Sequence, residues 1–152
     1  MRQYIKTCSE IEKTVAQIYQ ELSESEHFGG DVRRMFHTLA NDENDHAMQL
    51  DFALRLPTVT IALEQNMLHQ QAAGLLTRAK NSLQKVTQKA LSVAEAVALG
   101  IGLEENFCGI HLNNSVNFQD ESMKKMFSAM ARDEKIHKNQ LLEFRAALED
   151  QS

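Results

Sequence analysis

Four stretches of this chain repeat apolar residues three and four apart, and each sets a glutamate in the middle of its stripe. The first runs Ile5, Cys8, Glu12, Val15, Tyr19, Leu22, and the second Phe36, Leu39, Glu43, His46, Leu50, Ala53. The third is Val93, Val97, Gly100, Glu104, Phe107, His111, and the fourth Met123, Phe127, Met130, Glu134, His137, Leu141, Phe144. Such spacing predicts amphipathic helices whose apolar faces meet. A carboxylate turned toward such a core costs several kcal/mol unless it is paired or metal-bound. One glutamate of this kind is an oddity, whereas one on each of four helices is a pattern.

The punctuation agrees with long helices. There is a single proline, Pro57, and only six glycines, so the chain has few places to turn. The first helix is expected from about Gln3 to Glu26, stopped by Gly29 and Gly30, with Asp31 as the N-cap of the second. That helix should run to the neighbourhood of Arg55 and Pro57. Residues 58–91 then cross over to the second half. Ile61, Leu63, Met67, Leu68, Leu75, Leu76, Leu83 and Val86 suit one helix, or two broken at Gly74. Ser92 and Glu95 have the form of a capping box opening the third stripe's helix. Asn113, Asn114 and Ser115 should end it, and Asp120 or a neighbour should start the last. At 152 residues, a single domain spanning 1–152 is the natural size.

Charge and composition exclude several classes of function. A formal charge of −5, with no basic block, argues against a nucleic-acid surface. Lys80, Lys85 and Lys89 are simply spaced along the solvated face of one helix. No apolar run is long enough to span a bilayer, and the opening MRQYIKTCSEIEK has no signal-peptide core, so a cytoplasmic protein is expected. Cys8 and Cys108 form no Cys-x-x-Cys, which removes zinc knuckles and rubredoxin-type iron sites. A reducing cytosol would also leave them unpaired.

Two of the glutamates belong to the same short device. Glu43-Asn44-Asp45-His46 and Glu134-Lys135-Ile136-His137 both read Glu-x-x-His, and each follows an aspartate, Asp42 or Asp133. Residues three apart share a helix face, so carboxylate and imidazole can aim at one point. The interval from Glu12 to Glu43 is one residue longer than that from Glu104 to Glu134, and seven residues after each first glutamate stand Tyr19 and His111. The chain thus reads as two copies of one helical hairpin joined by the crossover. Two Glu-x-x-His pairs, with one more glutamate from each of two other helices, make the ligand set of a dinuclear site in a four-helix bundle. The alternative is four buried glutamates neutralised by basic side chains, for which Arg34 and Arg132 are the stripe-flanking candidates.

On these residues, and on Leu103-Glu104-Glu105-Asn106, which is similar to the third-helix ligand region of ferritins, the chain resembles the ferritin-like diiron-carboxylate superfamily. Among its branches it looks most like the erythrin domain of rubrerythrins. The resemblance covers four helices and most of the chain. It implies an all-α, ferritin-like four-helix bundle with a long helical crossover between helices two and three. It also implies the metal ligands Glu12, Glu43, His46, Glu104, Glu134 and His137, with Glu43 and Glu134 as bridges. The cofactor would be two iron ions; manganese also suits these ligands, and zinc could occupy them as purified without redox capacity. Four carboxylates balance two ferrous ions, which makes burial tolerable.

The implied activity is reduction of hydrogen peroxide or oxygen with electrons from an external donor such as a rubredoxin-like protein, in a homodimer or higher homo-oligomer. Two departures bear on this. Phe107 stands where rubrerythrins carry a second third-helix glutamate, and these 152 residues hold no counterpart of the rubredoxin domain of full rubrerythrins, so the electrons are expected from a separate protein. The alternatives are a ferroxidase or iron-storage protein and a non-enzymatic metal-binding helical protein.

Several other residues have more than one reading. Tyr19 either hydrogen-bonds a ligand carboxylate or relays an electron, or is a core aromatic. His111 is a partner of a ligand, an additional ligand or a core histidine. Asp42 and Asp133 orient an imidazole on the facing helix or lie on a solvated face. Cys8 and Cys108 are redox partners of the site or inert filler. Gly100 makes room for a small oxidant, distorts the helix near Glu104, or allows close helix packing. His27, His37 and His69 follow no pattern and are expected at the surface.

Overall fold

The computed structural model describes residues 2–56, 65–117 and 120–151; the side chains of 65–67 and 112–117 lie outside that description. Every regular element among these residues is a helix: α1 Arg2–Ser23, α2 Gly30–Ala53, α3 Gln65–Gln88, α4 Val93–Asn117 and α5 Glu121–Asp150. Helix α1 packs against α2 and α4 against α5, as two helical hairpins, and α3 packs against α1.

The helix ends follow local chemistry, with some shifts from the sequence expectation. Ser92 and Glu95 do form a capping box, Glu95 N–H to Ser92 Oγ at 3.1 Å and Ser92 N–H to Glu95 Oε2 at 2.9 Å. Asp120 caps α5, accepting from the N–H groups of Ser122 and Met123. The N-cap of α2 is Gly29 rather than Asp31; the extended Gly29 backbone accepts the first bond, from Arg33 N–H at 3.1 Å. Asp31 sits instead in the first turn, where a negative charge still favours the helix dipole. The first helix ends at Ser23, not Glu26, as the chain turns to bury Phe28 beside Phe36.

Gly74 does not break the crossover, and α3 runs through it without interruption. A single glycine costs a helix only about 1 kcal/mol, and Ala72 and Ala79, both fully buried, hold this one to the core. Likewise α4 continues past Asn113, Asn114 and Ser115 to Asn117. Asparagine and serine are weak helix formers but not breakers. Pro57, Ile61 and Leu63, and the side chain of Met67, lie outside the described residues.

Every member of the four stripes is buried except Val93 and Phe144, which are half-buried. Gly100 serves close packing: a Cβ there would lie 3.0 Å from Leu141 Cδ1 and 3.6 Å from Tyr19 Cε1. Among the described residues, the strongly exposed large apolar side chains are Met48 and Phe52 on α2 and Ile136 on α5. On α3, Leu68, Leu75, Leu76 and Leu83 are half-buried against the core. No helix of the described residues is long and apolar enough to cross a membrane.

Candidate metal centre

The mid-stripe glutamates converge. Glu12 on α1, Glu43 on α2, Glu104 on α4 and Glu134 on α5 are all completely buried, and His46 and His137 are nearly so. Their ligand-type atoms gather into two groups, Glu12, Glu43, His46 and Glu134 in one, Glu43, Glu104, Glu134 and His137 in the other. Glu43 and Glu134 belong to both. His46 Nδ1 lies 3.8 Å from Glu12 Oε2, 3.5 Å from Glu43 Oε2 and 3.3 Å from Glu134 Oε1. His137 Nδ1 lies 3.1 Å from Glu43 Oε1 and 3.5 Å from Glu104 Oε2.

The remaining polar atoms of these residues are tied down by the opposite hairpin. His46 Nε2 meets Asp133 Oδ2 at 3.1 Å, and His137 Nε2 meets Asp42 Oδ2 at 3.0 Å. Because a carboxylate accepts, each imidazole donates through Nε2 and turns Nδ1 inward. This is the arrangement by which a second partner fixes the tautomer and orientation of a metal-bound histidine. The Tyr19 hydroxyl donates to Glu104 Oε1 at 2.5 Å, and His111 Nε2 lies 2.6 Å from Glu12 Oε1. Tyr19, Asp42 and Asp133 thus hold other residues of the cluster.

What is left over is specific. Glu12 Oε2, both oxygens of Glu43, His46 Nδ1, Glu104 Oε2, both oxygens of Glu134 and His137 Nδ1 are buried without a hydrogen-bond partner. Such atoms are few in a folded protein, and each costs about 1–3 kcal/mol. Here they divide evenly between the two groups, one imidazole nitrogen and three carboxylate oxygens each. That donor set fits a pair of divalent ions with hard-to-borderline character. Basic side chains do not explain it: no lysine or arginine reaches the four glutamates among the described residues, Arg34 pairs with Asp31, and Arg132 is exposed.

The electrostatics show the strain of this crowding. Burial, then the charges of Glu43, Glu104 and Glu12, push the Glu134 carboxyl well above its ordinary range. Burial and the neighbouring Glu12 also raise Glu43. Burial would raise Glu12 too, but its contacts with Glu43, His111 and His46 outweigh that and hold it low. Burial disfavours the imidazolium of His137, yet Glu104 and Glu43 raise it to about 10, and Glu12, Glu134 and Glu43 raise His46 in the same way. Burial and Glu104 keep the Tyr19 phenol protonated, and so a donor. Without metal, the centre holds its charges by keeping protons.

A surface depression of about 240 Å³ lies over the two imidazoles, between α2 and α5, lined by Asp42, Asp133, Gln49, Ile136 and Gln140 among others. Larger hollows, such as one of about 450 Å³ between α3 and α4, contain none of the six residues. The two glutamines lie outside the stripes, but the sequence carried their signal: Asp-Glu-x-x-His-x-x-Gln occurs at 42–49 and again at 133–140. Cys8 and Cys108 join neither group; burial pushes the Cys8 thiol up to about 12, and Cys108 Sγ faces the Ala131 carbonyl at 3.6 Å. His27 and His37 are exposed as expected, while His69 is half-buried. Comparison with protein-family models, curated proteins and solved structures finds no match for this chain.

Proposed function

We propose that the chain is a ferritin-like dinuclear iron protein of rubrerythrin type, which reduces hydrogen peroxide or oxygen with electrons from a separate donor protein. The reading rests on one observation: eight buried donor atoms without partners, sorted into two four-atom groups that share Glu43 and Glu134. Hairpins α1–α2 and α4–α5 would be the four-helix bundle, with α3 as its helical crossover. Glu12, Glu43, His46 and Glu134 would hold one ion, and Glu43, Glu104, Glu134 and His137 the other.

Bound there, a ferrous pair supplies two electrons at one place, the number needed to reduce hydrogen peroxide to water. The protein's own part is to orient and exclude. Asp133 and Asp42 fix the imidazoles, and Tyr19 holds Glu104 from across the cluster. The apolar stripes keep bulk water away from the carboxylates. With four protein donors at each position, an ion held there would have room for a small oxidant. Phe107, buried one turn after Glu104, adds no carboxylate to fill that room.

Anaerobic protein loaded with ferrous iron and mixed by stopped flow with peroxide and with oxygen tests the proposal. Rapid oxidation by one or both is expected, and inertness to both would sink it. Light scattering on the same sample separates the oxidoreductase from an iron store: a dimer without a mineral core fits the former. Exposed Met48, Phe52 and Ile136 are apolar surface that such a homodimer would cover.

A further inference from the structure

The two donor groups have the same make-up, three glutamates and one histidine each, but a different side chain holds the first glutamate of each. Each half sends the side chain seven residues after its first glutamate across to the first glutamate of the other half. In one direction this is a phenol, Tyr19 to Glu104 Oε1 at 2.5 Å; in the other an imidazole, His111 to Glu12 Oε1 at 2.6 Å.

We propose that His111 is a positioning residue for the Glu12 side of the centre: its Nε2–H occupies Glu12 Oε1, so that this glutamate can offer an ion one oxygen only and a coordination position stays open there. The inference rests on the dinuclear reading above.

Three observations carry it. First, His111 is oriented the opposite way from the two ligand histidines. His46 and His137 point Nδ1 at the carboxylates and give Nε2 to an aspartate, whereas His111 presents Nε2 and has no partner at its buried Nδ1. A metal-bound imidazole ordinarily hands its second N–H to an acceptor. His111 has none, and so is built to donate to Glu12 rather than to bind metal. Second, the contact is specific to one oxygen. Nε2 is 2.6 Å from Glu12 Oε1, and its next carboxylate contact is Glu134 Oε1 at 3.6 Å, beyond hydrogen-bond reach. Glu12 Oε2 is left without a partner beside His46. Third, the described side chains of α4 offer no substitute for that bond, since Phe107, one turn earlier, is an apolar side chain buried in the core. Without His111, Glu12 Oε1 would be a buried, partnerless oxygen next to the ion, and chelation through both oxygens would satisfy it.

Cobalt(II), which reports coordination number through the intensity of its visible d–d bands, is the probe. Wild type, His111→Leu and His111→Gln are each titrated anaerobically with cobalt to two equivalents. The glutamine amide can donate from nearly the same place as Nε2. His111→Leu is expected to lose d–d intensity and shift its bands, as the ion on the Glu12 side gains an oxygen, while His111→Gln keeps the wild-type spectrum. A folded His111→Leu that binds two cobalt ions with the wild-type spectrum would overturn the proposal. So would equal changes in both variants, which would mean that His111 only fills space. Should His111→Leu fail to fold, an altered spectrum in His111→Gln overturns the proposal and an unaltered one supports it. A wild type that binds no cobalt defeats the dinuclear reading itself, a result distinct from the others because every spectrum would then be that of free cobalt.

Discussion

Replacing Glu43 with leucine should make the metal-free protein more stable and the metal-loaded protein less so. Glu43 is completely buried, both its oxygens lack hydrogen-bond partners, and burial with the Glu12 charge raises its carboxyl. Exchange of buried ionic groups for apolar ones of similar volume is often neutral or stabilising by about 1–4 kcal/mol. Leucine avoids the cavity that alanine would leave. His137 Nδ1 loses a neighbour at 3.1 Å but keeps Glu104 at 3.5 Å, which limits the loss on that side. A gain of about 2 kcal/mol would move the midpoint up by roughly 4–8 °C in a domain of this size. Metal reverses the order. An ion that binds only the folded wild type adds about 2.7 kcal/mol at a free concentration one hundred times its dissociation constant, and about 4.1 at one thousand times. The variant, missing a residue of both groups, should gain little. Thermal unfolding of both proteins, chelator-stripped and then zinc-loaded, gives the four midpoints. A variant less stable than wild type when stripped, with the same gain from zinc, would show Glu43 to be an ordinary satisfied core residue and refute the reasoning.

The remaining expectations concern protons, orientation and packing. His137 is raised from its ordinary 6.5 to about 10, so the stability its imidazolium contributes is complete below pH 6.5 and fades as pH rises through about 10. The raised Glu43 and Glu134 act in the same direction, their contribution being complete below their ordinary 4.5 and lost at higher pH. Lowered Glu12 acts oppositely, but its contribution is already complete above 4.5. Stripped protein should therefore melt at lower temperature as pH rises from about 6 to about 9, while zinc-loaded protein, whose ligands must lose protons to bind, holds its midpoint; parallel curves would contradict this. Calorimetry in buffers of different ionisation enthalpy should likewise find protons released on zinc binding. Asp133→Asn, which removes the carboxylate from His46 Nε2, should weaken metal affinity by about 10–100-fold with little change in the stripped protein's stability, a contrast that competition with a chelating dye and thermal melting would check. Gly100→Ala sets a methyl group 3.0 Å from Cδ1 of the completely buried Leu141, and the overpacking should outweigh the roughly 1 kcal/mol gained in helix propensity, leaving a net loss of up to about 2 kcal/mol by urea unfolding.

The helices and the six converging residues were legible because both follow from one periodicity. A stripe of period near 3.6 fixes which side of a helix is buried, and a glutamate within that stripe is thereby placed in the core. The helix ends were less legible because their energies are small. Whether α2 begins at Gly29 or Asp31, or whether Gly74 breaks α3, turns on about 1 kcal/mol or less, and in α3 the packing of Ala72 and Ala79 is enough to decide it. The burial of Ile11 and Ile18, which lie off the first stripe, was hidden for another reason. It depends on α3 lying against α1, and an apolar pattern shows that a face is covered without naming what covers it.

The exchange between halves was legible only in part. One dinuclear donor set, and an aspartate reaching an imidazole on the facing helix, follow from the repeat; which side chain holds which glutamate does not. The distances supply that. His46 is held by Asp133, His137 by Asp42, Glu104 by Tyr19 and Glu12 by His111, and every one of these bonds runs from one hairpin to the other. Glu43 and Glu134 each serve both groups. A single hairpin therefore holds neither a complete donor set nor the partners that would orient one. The cluster exists only when the two halves close on each other, so metal affinity and docking of the hairpins should rise and fall together. That coupling also accounts for how the chain tolerates four buried glutamates: the carboxylates that would push the hairpins apart are the same groups that, once neutralised by protons or metal, hold them closed.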